Sequence, residues 1–511
     1  MCSRVLGLVR EQIFAGLFGA GYAYDAFVVA FRIPNLLRDL FAEGALSAAF
    51  VAVFSDYNAN RTKEETWRLA SNVLCFFAIA ISLISLIAIY FADSIVTVLA
   101  PEFINVAGKA ELTSTMTIIM MPFLLFISLA AVVMGILNTR GHFFVPSLAS
   151  SFFNLGSIVG GTSLAFILPR YGYPAIIGMA YGTLIGGLLQ LGVQLPSLKK
   201  VGFRFLPSLN YKDPGLTRIV KLMIPATIGL SATQINIFIN TNFAASCVEG
   251  SVSWLNYAFR LVQLPIGLFG VALSIAALPV LARQASQKNF QEMKNTFVSS
   301  LTMVFCLTIP ATAGLIILSE PIIKVIFEHG AFNLHDTEAT AIALSLYAVG
   351  LFAYSANKVI VPVYYAINAP RYPVVASFMA IIVNVIIITF TIDSFQHKAI
   401  ALSTSATMII NFIFLAAVLY IRINGYSLRY LVKGMVKIVL ATAIMSIFLI
   451  VSYGYVKDFF LGSVLMQIFY LAVLIVSSAL CYGGVLYYLD LPELIVLTKW
   501  FRQKFHLNSS S

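Results

Sequence analysis

Charged residues are scarce in this sequence. Only 10% of its 511 residues are Asp, Glu, Lys or Arg, against about 25% in soluble globular proteins. So few charges cannot cover a surface that faces water, and 60% of the chain is instead hydrophobic, with a mean hydropathy of +0.92. The composition therefore excludes an ordinary soluble protein and predicts that lipid surrounds most of the chain.

The sequence also lacks the patterns of metal, disulfide and nucleotide chemistry. Its five cysteines stand singly and its five histidines fall in predicted connecting segments, so neither a disulfide framework nor a structural metal site is indicated. Walker-A, Gly-x-Ser-x-Gly and His-Glu-x-x-His motifs are absent. We predict no cofactor and no enzymatic activity, and any transport must be driven by a gradient or run downhill.

Fourteen segments are long and apolar enough to cross a bilayer, which takes about 20 residues per helix. They lie near 5–21, 26–55, 69–93, 112–137, 145–168, 174–194, 219–246, 251–282, 296–319, 338–366, 372–392, 399–421, 434–455 and 462–489. The predicted fold class is an all-α polytopic membrane protein with 14 transmembrane helices.

The net charge of +11 is explained by topology rather than by a nucleic-acid partner. If the N-terminus is cytoplasmic, 21 lysines and arginines fall in cytoplasmic loops and five in the opposite loops. Because cytoplasmic loops of membrane proteins are enriched in basic residues, both termini are predicted to be cytoplasmic.

The remaining six basic residues lie inside predicted spans: Arg4, Arg10, Arg32, Arg38, Arg260 and Lys358. Four acidic residues accompany them: Glu11, Asp25, Asp39 and Glu43. A charge at the bilayer centre costs at least ~2.5–3.5 kcal/mol, so most of them are expected to face a water-filled cavity. The cationic excess favours an anionic substrate, and the planar fork of arginine suits a phosphate or diphosphate.

These charges also have simpler interpretations. The set could form internal ion pairs that only fix the fold, with Arg38 and a nearby carboxylate as one example. Arg32 could extend to the membrane surface, and Asp25 and Glu43 could lie near the two surfaces.

An internal repeat relates two parts of the chain. Ala30-Phe31-Arg32 recurs as Ala258-Phe259-Arg260, and Asn154 matches Asn384 at a similar offset. We predict two parallel six-helix lobes, and transporters with two such halves bind substrate between them and rock. The predicted parts are an N-lobe 1–195, a basic linker 196–221, a C-lobe 222–425, two further helices within 430–489 and a cytoplasmic tail 490–511.

Individual residues predict local features. Pro34 should kink the second span, with Asn35 available to the freed backbone groups, which would suit either a gate or simple packing. Glycines at every fourth position (Gly178, Gly182, Gly186) predict close helix contacts. Trp254 is expected to be an anchor at the membrane interface.

Several sequence blocks resemble a known family. They include Ser3-Arg4-Val5-Leu6-Gly7, Pro34-Asn35-Leu36-Leu37-Arg38, Phe41-Ala42-Glu43-Gly44-Ala45 and Gly250-Ser251-Val252-Ser253-Trp254. With them the chain resembles the MurJ (MviN) family of lipid II flippases over essentially its whole length. The resemblance implies the fold of the multidrug/oligosaccharidyl-lipid/polysaccharide exporter superfamily, with two lobes around a cationic cavity. It also implies that the last two helices form a groove for the polyprenyl tail.

The resemblance also implies site residues. The family's functional arginines correspond to Arg4, Arg10, Arg38 and Arg260, and its acidic positions to Glu11, Asp25 and Glu43. Together with the charge and proline arguments above, we predict substrate-binding roles for Arg4, Arg10, Arg38, Arg260, Glu11 and Asp25. Gating or secondary roles are predicted for Ser3, Arg32, Pro34, Asn35, Glu43 and Lys358. Glu11 and Asp25 are expected to pair with arginines when substrate is absent.

The chain departs from the family pattern at four places. Glu11 stands where Asp is common, Phe259 where an acidic residue is frequent, and Gln263 where some members have Glu. Some members bind sodium through aspartates in spans 7 and 11, where this chain offers only uncharged residues, with Asn236 and Asn384 as the candidates.

The implied function is movement of lipid II from the inner to the outer leaflet of a bacterial cytoplasmic membrane by alternating access. The expected partners are lipid II, membrane lipid and a coupling ion, and the expected state is a monomer. Two alternatives share the fold: a flippase of another polyprenyl-diphosphate-linked glycan and a cation-coupled drug exporter. The net cationic cavity disfavours the drug exporter, and the scarcity of His-rich loops disfavours an enzyme acting on polyprenyl phosphate.

Overall fold

A computed structural model describes residues 2–493, apart from the side chains of Ala42, Glu43 and Leu461. The structure is 86% helical, and residues 2–493 contain no β-strand. The predicted all-α fold class is therefore confirmed. Most of the predicted cytoplasmic tail, from 494 to 511, lies outside the described residues.

The chain divides into two compact units, of which the first comprises Met1–Ser253 and His329–Phe332. Its helices are α1 (Cys2–Phe18), α2 (Tyr22–Arg38), α3 (Ala45–Asn60), α4 (Lys63–Tyr90), α5 (Ala92–Leu99), α6 (Lys109–Met120), α7 (Phe123–Thr139), α8 (Phe144–Ile167), α9 (Ile177–Gly192), α10 (Leu195–Lys200) and α11 (Pro214–Ala245). Short 3₁₀ turns at Pro101–Asn105 and Leu168–Tyr171 connect some of these helices.

The second unit comprises Trp254–Glu328 and the chain from Asn333 onward. Its helices are α12 (Ser251–Pro265, whose first three residues belong to the first unit), α13 (Ala272–Ser286), α14 (Phe290–Ile317), α15 (Ser319–Phe327), α16 (Leu334–Val349), α17 (Leu351–Ala366), α18 (Arg371–Phe395), α19 (His397–Arg422), α20 (Leu428–Val456) and α21 (Val464–Tyr488). A 3₁₀ turn at Lys457–Leu461 follows α20.

Helix boundaries follow local capping chemistry. Thr62 and Glu65 form a reciprocal capping box at the start of α4, and Asn333 and Asp336 form another at the start of α16. Asp213 accepts the backbone N–H of Leu216 at the start of α11. Each cap supplies partners for backbone groups that the first helical turn leaves open.

Ten helical stretches within the described residues are long and apolar enough to cross a membrane, or up to eleven if α16 and α17, bent by 41°, form one span. Helices α1, α2 and α9 have only 17, 17 and 16 residues. The predicted total of 14 spans is consistent with this count and stays a prediction. Large apolar side chains such as Leu465 and Leu480 are 80% and 70% exposed, as expected where lipid replaces water.

Two π-helical turns interrupt the helices, at Asp39–Gly44 and Ile266–Val271. Helix α2 continues as an α-helix past Pro34 to Arg38, so the irregularity lies after the proline rather than at it. The second π-turn follows Pro265 directly. Both turns occur at corresponding places in the two proposed repeats, which is what an internal duplication predicts.

The glycines of α9 pack directly against α8. A Cβ added at Gly182 would lie 2.5 Å from the Cα of Gly161, and one at Gly178 would lie 2.4 Å from the backbone nitrogen of Ala165. The Cα of Gly186 lies 2.8 Å from a Cβ added at Gly156. The close contacts predicted from the glycine spacing are confirmed.

The compact units do not follow the predicted lobe boundary. Helix α11, expected to begin the C-lobe, belongs to the first unit, where Asn242 Nδ2 donates to the backbone oxygen of Val98 at 3.0 Å. In the second unit α20 and α21 pack on α14: Gly434 faces Thr302, and Tyr482 Oη donates to the backbone oxygen of Cys306 at 2.7 Å. The predicted lobes remain a prediction from the repeat.

The prediction that Trp254 is an interfacial anchor is wrong. Its side chain is only 3% exposed, and its indole N–H donates to Asp336 Oδ1 at 2.9 Å. The rings of His335 and His397 lie 5.4 and 5.0 Å from the indole. Trp254 is therefore a core residue of the second unit whose polar atom is satisfied inside the protein.

We predict that Gly182→Ala destabilises the first unit whereas Gly192→Ala does not. Overpacking at Gly182 should cost roughly 1–3 kcal/mol, because backbone atoms occupy the space that the methyl group needs. Gly192 is in the same helix and has nothing within 4 Å of an added Cβ. The thermal unfolding midpoints of the two variants in detergent test this, and equal midpoints would contradict the packing argument.

Candidate functional site

Arg10 and Glu11 form an ion pair inside the first unit. Arg10 Nη2 lies 2.7 Å from Glu11 Oε1, and the two side chains are 9% and 2% exposed. Tyr24 of α2 donates its hydroxyl to Glu11 Oε2, and the Arg10 guanidinium lies 5.6 Å from the ring centre of Phe153 on α8. Arg10 Nε has no hydrogen-bond partner among the described residues, so the guanidinium retains donor capacity.

Arg38 and Asp39 form a second pair, where α2 passes into its π-helical turn. Arg38 Nη2 donates to Asp39 Oδ1 at 2.9 Å, with side-chain exposures of 22% and 28%. The amide of Gln234 on α11 donates to Asp39 Oδ2 at 3.3 Å. This pair is therefore more accessible than the Arg10–Glu11 pair.

Asp25 lies at the centre of a third polar cluster. Lys109 Nζ lies 3.2 Å from Asp25 Oδ2, and both side chains are at most 3% exposed. The backbone N–H of Gly250 donates to the same oxygen at 2.9 Å, and the N–H and hydroxyl of Ser253 donate to Oδ1 at 2.9 and 2.6 Å. The carboxylate is thus satisfied by one cation and by the first turn of α12, where helix amides attract an anion.

Ser3 and Arg4 lie on the first turns of α1. The amide of Asn154 on α8 donates to the backbone oxygen of Ser3 at 3.1 Å and to its hydroxyl at 3.4 Å. Arg4, one residue later, is exposed. Ser3 therefore holds α1 against α8, while Arg4 stays accessible.

The other predicted residues are dispersed. In the first unit Arg32 and Asn35 are half-buried on α2, and Pro34 is buried beside them. In the second unit Arg260 is half-buried on α12, and Lys358 is exposed on α17. The side chain of Glu43 lies outside the described part of the chain.

The sodium candidates fall in different compact units. Asn236 lies on α11 of the first unit, and its Oδ1 is buried without a hydrogen-bond partner among residues 2–493. Asn384 lies on α18 of the second unit and is fully buried. No group of three or more His, Cys, Asp or Glu side chains in the described chain could hold a metal ion, and the sodium site stays a prediction.

The structure corrects two expectations about the charges. Arg10, Glu11 and Asp25 are buried in protein, at 7%, 2% and 2% exposure, rather than facing water, because each has a countercharge in contact. The pairing of Glu11 with an arginine is confirmed, but Asp25 pairs with Lys109 and not with an arginine.

Sequence reasoning missed Lys109, Tyr24 and Ser253 as site residues. Lys109 lies in a predicted loop on the side opposite the cytoplasm, and it is 84 positions from Asp25, so no local spacing links the two. Its one available signal was its rarity, as one of five basic residues outside the cytoplasmic loops and the spans.

Long apolar helices with buried ion pairs define a polytopic helical membrane protein, and its fold is shared by a known transporter. An inward-facing multidrug resistance MATE family transporter of the MOP superfamily superposes with a TM-score of 0.72 at 15% identity, over 83% of this chain and 94% of that chain. At this identity the likeness concerns the fold alone.

The family model described as lipid II flippase MurJ matches residues 14–470, and the chain belongs to that family. The probable lipid II flippase MurJ of Buchnera aphidicola subsp. Schizaphis graminum is 33% identical over 99% of this chain and 97% of that protein. The lipid II flippase MurJ of Burkholderia cenocepacia is 34% identical over 80% of each. A solved lipid II flippase MurJ in an inward closed conformation superposes with a TM-score of 0.77 at 28% identity, over 98% and 97% of the two chains. As a member of a flippase family, the chain is a transporter and not an enzyme.

We predict that Lys109→Met destabilises the first unit by roughly 3–5 kcal/mol, because a buried carboxylate loses its cation. The double variant Asp25→Asn/Lys109→Met should be less destabilised than Lys109→Met alone, since no unpaired charge remains. Lys324→Met is the control, because Lys324 and Glu328 are 3.6 Å apart and each 21% exposed, and such pairs contribute little. Thermal unfolding measures all three, and equal effects of the two lysine substitutions would contradict this role of Lys109.

Proposed function

We propose that the protein moves lipid II, the undecaprenyl-diphosphate-linked disaccharide-pentapeptide, from the inner to the outer leaflet of the bacterial cytoplasmic membrane. The observation that carries this proposal is the pairing of arginines with carboxylates on α1 and α2, in a chain of the lipid II flippase family. The biological role of the protein is then to supply the precursor for peptidoglycan synthesis, on which cell wall growth and cell shape depend.

The diphosphate is the part of lipid II that these residues suit. Arg10 and Arg38 each offer a planar fork of N–H donors that matches phosphate oxygens, and exposed Arg4 lies on the same helix as Arg10. Arg260 is proposed to contribute a further guanidinium from the second unit. Arg10 Nε has no acceptor among the described residues, and a phosphate oxygen of the substrate can accept a hydrogen bond from it.

Glu11 and Asp39 act as internal substitutes for the substrate anion. Each holds one arginine while the transporter is empty, with distances of 2.7 and 2.9 Å. A phosphate oxygen that approaches an arginine can take over its hydrogen bonds, so that substrate replaces an internal ion pair rather than meeting an unpaired charge. This exchange avoids the cost of leaving a buried cation without a partner, roughly 3–5 kcal/mol.

Asp25 has a different role in this scheme. Its partners are Lys109, Gly250 and Ser253 rather than an arginine, so it holds α2, α6 and the start of α12 together. We propose that it positions these elements and that substrate does not contact it.

Transport then proceeds by alternating access, driven by the membrane potential or by an ion gradient. Anions that leave a negative-inside cell gain about 2.3 kcal/mol per charge per 100 mV. Two diphosphate charges that cross the whole field gain roughly 4–5 kcal/mol on this scale. A coupling ion, with Asn236 and Asn384 as candidate sodium ligands, would reset the empty carrier.

The appended helices α20 and α21 are proposed to hold the polyprenyl tail. They pack on α14 and expose apolar side chains such as Ile447, which is 66% exposed. The protein would work as a monomer with both termini in the cytoplasm, surrounded by membrane lipid.

We predict that Arg10→Ala, Arg38→Ala and Arg260→Ala each fail to support growth of a strain depleted of its own lipid II flippase. The measurement is complementation, together with the accessibility of lipid II on the outer leaflet after acute depletion. Lysine at the same positions should restore growth only in part, because it keeps the charge but loses the fork.

Arg68→Ala is the matched control, because Arg68 is an exposed arginine whose partner Glu64 is 3.1 Å away on the surface of the same helix. It should support normal growth. Normal growth with all three alanine variants would refute the proposed role of the arginines. Failure of the wild-type chain to complement, with normal expression, would instead favour another polyprenyl-diphosphate-linked glycan as substrate.

A further inference from the structure

A cavity of about 490 Å³ lies in the second unit, apart from the ion pairs described above. The start of α14, the turn between α17 and α18, and the end of α19 form its walls. Its polar lining residues are Lys294, Asn368, Arg371, Tyr372, Arg422 and Asn424. All three basic residues belong to segments that the distribution of charge predicts to be cytoplasmic.

The lining contains three cations, and none of its described residues is acidic. Some exposed arginines elsewhere have carboxylate partners, such as Arg218 with Asp56 at 2.6 Å and Arg68 with Glu64 at 3.1 Å. Here Lys294 Nζ donates to the backbone oxygen of Asn424 at 3.2 Å, and both arginines donate to a neutral phenol. Hydrogen bonds to neutral acceptors satisfy the donors but leave the positive charge uncompensated.

One phenol holds the two guanidinium groups together. Arg371 Nη2 and Arg422 Nε donate to Tyr372 Oη at 3.0 and 2.6 Å, and both guanidinium carbons lie 5.0–5.1 Å from the centre of its ring. Tyr372 is itself positioned by the buried ring of Tyr364, whose centre is 5.7 Å away. Two like charges so close repel one another. An anion bound to both guanidinium groups would offset this repulsion with two attractive interactions.

The helix ends around the cavity add partial charges of both signs. Helix α18, which has 25 residues, begins at Arg371, and its open backbone N–H groups attract anions. Helices α17 and α19 end nearby, with Asn368 and Asn424 in left-handed conformations at φ of 53° and 55°. Lys294 donates to the backbone oxygen of Asn424, two residues after the end of α19, so it places a cation close to the negative end of that helix.

We propose that this cavity binds a phosphate group, with Arg371 and Arg422 as a double fork and Lys294 as a third cation. Arginine matches phosphate oxygens in two parallel hydrogen bonds, and basic pockets between helices on the cytoplasmic side accept anionic lipid head groups. Phe290 and Ile367, which also line the cavity, give it an apolar wall. The phosphate can belong to an anionic phospholipid or be free in solution, and the site is separate from the one proposed for the transported substrate.

The test is native mass spectrometry of the purified full-length protein in detergent, titrated with phosphatidylglycerol. Phosphatidylcholine, whose phosphate charge is offset by choline, is titrated in parallel. We expect phosphatidylglycerol to bind about tenfold more tightly than phosphatidylcholine. The variant Arg371→Gln/Arg422→Gln should lose about tenfold in affinity for phosphatidylglycerol.

The charge-matched control is Arg283→Gln/Arg429→Gln, because both arginines are exposed in the second unit and neither lines the cavity. It should bind phosphatidylglycerol like the wild type. A second variant, Arg371→Lys/Arg422→Lys, keeps the charge but removes the forks, and should fold with an unchanged thermal midpoint and bind with intermediate affinity.

Inorganic phosphate, added in excess, separates the two sources of the ligand. Competition with phosphatidylglycerol identifies a site that free phosphate fills, whereas no competition identifies a lipid head-group site. Equal losses in the Arg371/Arg422 and Arg283/Arg429 glutamine variants would overturn the proposal, because attraction would then come from surface charge in general. Wild-type affinity in the Arg371→Gln/Arg422→Gln variant would overturn it as well.

Discussion

The requirement that a charge inside a membrane protein must have a countercharge governs the first unit of this structure. A buried ion costs several kcal/mol unless a partner compensates it, and α1 and α2 carry Arg10, Glu11, Asp25 and Arg38. The structure meets this requirement with short ion pairs, at 2.7 Å for Arg10–Glu11 and 2.9 Å for Arg38–Asp39. Such pairs make the helices compatible with lipid, and in the proposed mechanism the substrate anion takes the place of the carboxylates.

The same requirement separates two kinds of charged residue. Asp25 accepts from four donors that belong to three residues, Lys109, Gly250 and Ser253, so its carboxylate is already satisfied within the fold. Arg10 has one ionic partner and an Nε without a hydrogen bond among the described residues, so it can exchange partners. In the second unit, Arg371 and Arg422 share a neutral phenol and keep their full charge for an external anion. In the proposals made above, the number and charge of the partners, rather than residue type, distinguish structural from ligand-binding roles.

Much of the fold could be predicted because it depends on local properties. Apolar length sets the helices, and the glycine spacing of α9 anticipates its contact with α8, since a four-residue period places small residues on one helix face. The pairing of Glu11 with an arginine could be anticipated as well, because a charge inside a span needs a countercharge. Trp254 could not be placed, because its burial depends on Asp336 and His397, which the tertiary fold brings from far along the chain. The place of α11 could not be read from the sequence for a related reason: it follows the basic linker along the chain but packs with the first unit.

The sequence by itself determined that this protein is a helical membrane protein with an excess of basic residues in its predicted spans, and its motifs indicated a family of transporters. Composition and helical spacing suffice for the membrane fold class, because the membrane imposes the same length and polarity on every span. Only the tertiary structure decided which charges pair. Lys109 and Asp25 are 84 positions apart and lie 3.2 Å apart in space, and Arg371 and Arg422 meet on one phenol from different helices. Electrostatic energy depends on the distance between charges and on their burial, and neither can be read from the separation of two residues along the sequence.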